Sequence, residues 1–215
     1  MTPNRHKQPE ADPGPRQAVD NDSVLDAARD GVLAVGVRRT TLTDVARRAG
    51  VSRMTLYRRW PDVRTLVGDL MTREWVAVAT SVPRAAGGDP DRQDDPDVRA
   101  QLVDSLVTGV RAFREHPLLR KIVEVDPELL LPYVLDRLGA SQEAFLELFE
   151  TALRNGHADG SIRPDHPLRQ ARALLLVVQS FALSLHTMTS GTDAELGTEA
   201  FDRELRHILD RTLAP

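Results

Sequence analysis

The stretch GVSRMTLYRRWPD, residues 50–62, sets Arg53, Arg58 and Arg59 beside Met54, Thr55 and Tyr57 in a chain whose net charge is −4. These side chains suit a nucleic-acid surface. A guanidinium can hold guanine O6 and N7 through two hydrogen bonds, and threonine or methionine can touch thymine methyls. Tyr57, Thr41 and Ser52 carry hydroxyls that can reach phosphate oxygens, assisted by amides at helix N-termini. Between positions 37 and 64, arginines at 38, 39, 47, 48, 53, 58, 59 and 64 face only Asp44 and Asp62, so this segment is +6 and the remainder about −10. A basic module on an acidic body leaves the body out of competition for a polyanion.

Helical spacing of apolar residues recurs along the chain and strand-like alternation is rare, which predicts an all-α protein. A first helix spans about 23–35, capped by Asn21, Asp22 or Ser23 and closed by Gly36. Thr41 caps a short second helix that Gly50 breaks, and Ser52 caps a third through Arg59. Small Ala46 lets the two helices cross closely, and Gly50 takes a turn conformation that a side chain resists. Val51, Leu56 and Trp60 pack inward, leaving Arg53, Met54, Thr55, Tyr57, Arg58 and Arg59 outside. A fourth helix starts near Pro61 and Asp62, with proline in its first turn, and runs towards Thr80. Further helices are predicted over about 98–115, 117–125, 127–138, 142–155, 167–189 and 198–213, with Pro117, Pro127 and Pro167 at starts and Gly139 and Gly156 at ends.

The run TTLTDVARRAGVSRMTLYRRWPDVRTLV, preceded by VLDAARDGVLAVGVRR, resembles the N-terminal DNA-binding domain of the TetR family of transcriptional repressors over about residues 22–70. The resemblance implies a homodimeric regulator with a DNA operator and a small-molecule effector as partners. Three N-terminal helices bind DNA, and a larger helical domain binds the effector and the second subunit. It implies DNA contact by Arg53, Met54, Thr55, Tyr57, Arg58 and Arg59. The family usually has a lysine at the start of helix four, where this chain has Val63 and then Arg64. Arg64 takes over that phosphate contact from about 100° around the helix, or the contact is missing. The expected organisation is a disordered tail over 1–20, a helix-turn-helix domain over 21–65 and a ligand-binding and dimerisation domain over 66–215. ALRNGHADGSIRPDHP, residues 152–167, also resembles the segment joining two long helices in many members.

Within the 167–189 helix, Arg172, Gln179 and His186 recur every seven residues along one stripe. Such a stripe needs partners. It lines an effector cavity, sits in a four-helix dimer interface with the last helix, or borders solvent; in the first case Gln179 and His186 read a polar group on the ligand. Tyr133 and Phe145 or Phe149 are candidate cavity walls, which core packing explains equally well.

Other functions find less support. The absence of cysteine excludes disulfides, thiolate metal sites and cysteine nucleophiles, and fits a cytoplasmic protein. The N-terminus lacks the apolar core of a signal peptide and reads as a solvated tail, although Arg5, His6 and Lys7 can follow a DNA groove as an arm does. The apolar run 173–188 carries Gln179, Ser180, Ser184 and His186 and is shorter than a membrane span, so it reads as a buried helix. The segment 83–97, rich in proline, glycine and aspartate, reads as a mobile acidic loop. His157, Asp159, Asp165 and His166 suggest a metal or acid–base cluster only weakly, because they lack helical ligand spacing. No enzyme, metal or cofactor is expected. A helical adaptor explains the helices but not the basic exposed helix, and an activator of the same fold remains the alternative polarity.

Overall fold

The computed structural model describes residues 20–81 and 97–215; the tail with its Arg5–His6–Lys7 arm and the body of the acidic loop lie outside them. Among the described residues there is no strand. Asn21–Val35 (α1), Leu42–Arg48 (α2) and Arg53–Arg59 (α3) form the N-terminal trihelical unit, and Val63–Ser81 (α4) leads out of it. Val98–Glu115 (α5), Pro117–Val125 (α6), Leu131–Leu135 (α7), Ala140–Asp159 (α8), Pro167–Ser184 (α9) and Thr198–Leu213 (α10) complete the chain.

Two apolar cores hold these helices. The first gathers Val24, Ala28 and Val32 of α1, Val45 and Ala46 of α2, Leu56 and Trp60, and Leu66, Leu70 and Trp75 of α4; Leu118, Leu119 and Ile122 of α6 join it. The second joins α5, α8, α9 and α10 through residues such as Val107, Leu153, Leu174 and Leu205. Thus α4 packs in the first core and also touches α5 and α8, bridging the unit that carries the basic helix and the helical body.

Polar joints fix the relative placement of the helices. Asp126, buried at the end of α6, accepts the Val37 N–H across 2.7 Å, and its Oδ1 lies 3.4 Å from Arg38 Nε. Gly36 makes this approach possible, because its φ is +84° and a Cβ there would sit 2.9 Å from the Asp126 carboxylate. Buried Asp202 of α10 takes hydrogen bonds from Arg111 and Arg114 of α5, at 2.6 and 2.8 Å. Both arginines favour the ionised carboxylate, whose pKa is lowered in spite of the burial that opposes it.

Several predicted boundaries move. α1 starts two residues earlier and is capped by Asp20, whose carboxylate accepts the Asp22 N–H at 3.1 Å. Pro61 lies outside α4; Asp62 precedes it and receives the Thr65 N–H at 2.7 Å. The predicted 127–138 helix is a 3₁₀ turn at Pro127–Leu129 followed by the short α7, since Pro132 lacks an N–H and restarts the helix at its own first turn. Gly139 begins α8 instead of ending a helix. Gly156 lies inside α8, which continues to Gly160 at φ +79°; Gly156 is small there because Ile162 packs directly on its Cα. α9 gives way after Ser184 to a 3₁₀ turn, Leu185–Thr187, where the Thr187 hydroxyl donates to the Ser184 carbonyl at 2.8 Å. With that turn, Pro167–Thr187 is long and apolar enough to cross a membrane by length and composition alone. Here Ala171, Leu174, Leu175 and Val178 are buried in the second core.

Candidate nucleic-acid interface and adjoining cavity

α3 is built to present one face outward. Leu56 and Trp60 are 1% and 2% exposed and anchor it, while Met54 is 80% exposed and Tyr57 47%. Arg53, Arg58 and Arg59 are exposed as well, and Thr55 is half-buried. No carboxylate of the described residues forms an ion pair with any of these three arginines; Arg59 lies over the Trp60 ring at 5.1 Å. Gly50 adopts φ +67° between α2 and α3, the left-handed turn that swings α3 across α2.

The hydroxyls placed near this face already have local work. Thr41 Oγ1 accepts the Asp44 N–H at 3.1 Å and donates to Asp44 Oδ2 at 2.7 Å. Ser52 Oγ accepts the Thr55 N–H at 3.2 Å and shares a 2.7 Å hydrogen bond with the Thr55 hydroxyl. Both therefore act as N-caps, and a phosphate would have to share them. Arg64 is exposed in the first turn of α4, whereas Val63 packs partly buried against the first core, which accounts for an apolar residue there. Asp62 is held below the usual carboxylate range by the Thr65 backbone and hydroxyl donors.

Not all the basic charge counted in the sequence is free. Arg38 donates to Glu128 at 2.8 Å and also neighbours Asp126, so it ties the α1–α2 turn to the segment after α6. Arg47 lies 3.7 Å from Asp44.

Behind α4 lies a cavity of about 1130 Å³, walled by α4, α5, α7, α8 and α9. Trp75, Phe113, Phe145 and Phe149 give it an aromatic lining, with the Phe145 and Phe149 rings stacked at 6.4 Å. Tyr133, Phe149 and Gln179 of the sequence-derived candidates meet on its wall. His186 does not: it sits exposed in the 3₁₀ turn after α9, where the seven-residue stripe loses its register. Arg172 is exposed on the outer side of α9. Sequence reasoning missed Gln142, which donates to Gln179 Oε1 at 2.6 Å, as well as Arg137, Trp75 and Asp69 on the same wall. Gln142 falls three residues after a helix-starting glycine, a local signal that could have marked it. The others converge only through the packing of separate helices.

The His and Asp residues around 157–166 have structural partners. His157 Nε2 lies 2.8 Å from Gln170 Oε1, and Asp159 accepts the Ser161 N–H at 2.8 Å. Asp165 takes the His166 N–H and pairs with Arg163 and Arg169, which lowers its pKa to about 2. His166 caps α9 through its side chain.

Comparison with known proteins agrees with this geometry. The sequence profile described as bacterial regulatory proteins, tetR family, matches residues 24–70, from α1 into α4. An uncharacterized HTH-type transcriptional regulator of Mycobacterium bovis is 35% identical over 187 residues, which is 87% of this chain and 90% of that protein. The transcriptional repressor QsdR of R. erythropolis, from the TetR family, shares the fold with a TM-score of 0.62 at 16% identity, covering 91% of this chain and 96% of that one. FadR of Bacillus subtilis, solved in complex with stearoyl-CoA, has a TM-score of 0.57 at 12% identity, covering 90% and 100%. With an N-terminal helix-turn-helix in place and a relative matched along most of its length, the chain belongs to the tetR family of bacterial regulatory proteins and is a DNA-binding transcriptional regulator.

Proposed function

We propose that the protein is a cytoplasmic homodimeric repressor that leaves a pseudo-palindromic operator when a small molecule enters the cavity behind α4. The observation that carries this reading is the continuity of α4: its start lies beside the exposed α3, and its middle, with Asp69, Met71 and Trp75, lines the cavity. Residues 21–65 act as the DNA-binding part and 66–215 as the ligand-binding and dimerisation part, on the division drawn from the sequence. In this reading Arg53, Arg58 and Arg59 supply base and phosphate contacts, Met54 and Thr55 touch bases, and Tyr57, Thr41, Ser52 and Arg64 hold phosphates. Tyr133, Phe149 and Gln179 belong to the ligand wall. Leu176, 69% exposed on α9, supports a subunit interface built from α9 and α10. The protein works by binding equilibria, with no catalytic step. A ligand that prefers another spacing of the two α3 helices shifts the dimer away from its DNA-competent form, and a coupling of about 1–3 kcal/mol suffices to be useful.

Footprinting on DNA flanking the coding region tests this. Protection of an inverted repeat by the dimer supports it; a monomer that protects nothing contradicts it.

A further inference from the structure

We infer that the cavity takes an amphipathic anion, an apolar chain ending in a carboxylate, with the carboxylate held at the corner formed by Arg137, Tyr133 and Gln179. This deepens the effector reading above and rests on it. Of the charged side chains on the cavity wall, Asp69 accepts the Trp60 indole N–H at 2.8 Å, and the other is Arg137. Arg137 is exposed at the wall and stands 5.2 Å over the Tyr133 ring, with no carboxylate of the described residues in an ion pair with it.

The hydrogen bonds beside it fix which atoms remain available. Gln142 has both amide hydrogens engaged: its Nε2 donates to the Tyr133 carbonyl at 2.9 Å and to Gln179 Oε1 at 2.6 Å, while its Oε1 accepts the Gly139 N–H at 2.8 Å. Gln142 takes one lone pair of the Gln179 oxygen, while no described residue accepts from the Gln179 amide N–H groups, so those donors are open to a ligand. The Tyr133 hydroxyl makes no hydrogen bond to a described residue, and its ring is set by Gly139, where a Cβ would come within 2.9 Å of the ring. The corner thus offers the Arg137 guanidinium, the Gln179 amide and a phenol hydroxyl. A carboxylate, which accepts and does not donate, satisfies all three, and its charge is met by Arg137. A quaternary ammonium head finds no carboxylate there, and the Tyr133 face is already covered by a guanidinium. Trp75, Phe113, Phe145 and Phe149 then enclose the apolar chain.

Calorimetric titration of the full chain with dodecanoate, 1-dodecanol and dodecyltrimethylammonium, each below its micelle concentration, tests the head-group assignment. Dodecanoate is expected to bind about tenfold or more tighter than dodecanol, with the ammonium compound weakest. Arg137→Gln, a change at an exposed position, is expected to erase most of the preference while leaving dodecanol affinity in place. Gln179→Leu is expected to reduce it further, with thermal unfolding confirming that each variant folds. Equal affinities for the three, or preference for the ammonium, overturn the anion assignment and leave the cavity as an effector site. Binding of none overturns the anion assignment and counts equally against the effector reading.

Discussion

The Trp60 indole N–H donates to Asp69 Oδ2 across 2.8 Å, and this bond ties the end of α3 to a residue on the cavity wall. Trp60 closes α3, with its backbone N–H on the Leu56 carbonyl, and its ring is 2% exposed. A phenylalanine fills much of that space but has no N–H. Trp60→Phe is therefore expected to lower unfolding free energy by about 1 kcal/mol in urea titration. Asp69→Asn keeps an acceptor and is expected to lose less. Unchanged midpoints for Trp60→Phe would show that the bond does not hold α3 to α4.

The proposed division of α3 into base-reading and backbone-positioning residues makes separable predictions. Arg53→Ala is expected to cost about 1–3 kcal/mol and relax preference at one operator position per half-site. Tyr57→Phe is expected to weaken all sequences more evenly, as loss of a phosphate contact does. Anisotropy titrations against a panel of single-base operator variants distinguish the two patterns, and their reversal would reassign the two side chains.

The trihelical unit was legible because its determinants are local. Thr41 and Ser52 cap the helices they precede, Gly50 turns at positive φ, and Leu56 and Trp60 face inward at helical spacing. The cavity was legible only in part. Tyr133, Phe149 and Gln179 stood out by residue type, yet Arg137, Gln142 and Asp69 join them only when α4, α7, α8 and α9 pack together. The stripe of Arg172, Gln179 and His186 reaches the cavity only at Gln179, for a related reason: seven-residue spacing marks one face only while the helix lasts, and α9 ends at Ser184. Charge counting likewise treated Arg38 as free, although Asp126 and Glu128, some ninety positions away, engage it.

Gly156 shows how one missing methyl group serves packing. A Cβ there would lie 2.3 Å from Ile162 Cδ1 and 2.5 Å from Cγ1, and Ile162 is 1% exposed. Overpacking is expected to outweigh the higher helix propensity of alanine, so Gly156→Ala loses about 1–2 kcal/mol in urea titration. Adding Ile162→Val is expected to recover part of it. A stabilised Gly156→Ala variant would mean that Ile162 moves aside freely.

Stability is also expected to depend on His116. Burial pushes its pKa below the ordinary histidine value, with nearby Glu74 opposing that shift and Arg29 adding to it. The imidazole Nδ1 accepts the Leu118 N–H at 3.3 Å, and Nε2 faces Glu74 at 3.4 Å. On acidification the unfolded chain takes up the proton first, so stability falls as pH drops below about 6.5 and levels once the folded form is protonated too. Thermal midpoints at about pH 7.5 and about pH 5.5 check this, with His116→Asn keeping a cap acceptor but not titrating. The wild-type protein is expected to lose more on acidification than the variant; equal losses would show that His116 does not set the pH dependence.

Selecting duplexes from a random library and following affinity for the winners against salt asks whether a dimer reads DNA sequence through α3. A dimeric sequence reader enriches an inverted repeat, with half-sites centred about 34–36 Å apart or a multiple of that distance, and its affinity falls steeply as salt rises. A library without enrichment and a flat salt response would contradict it.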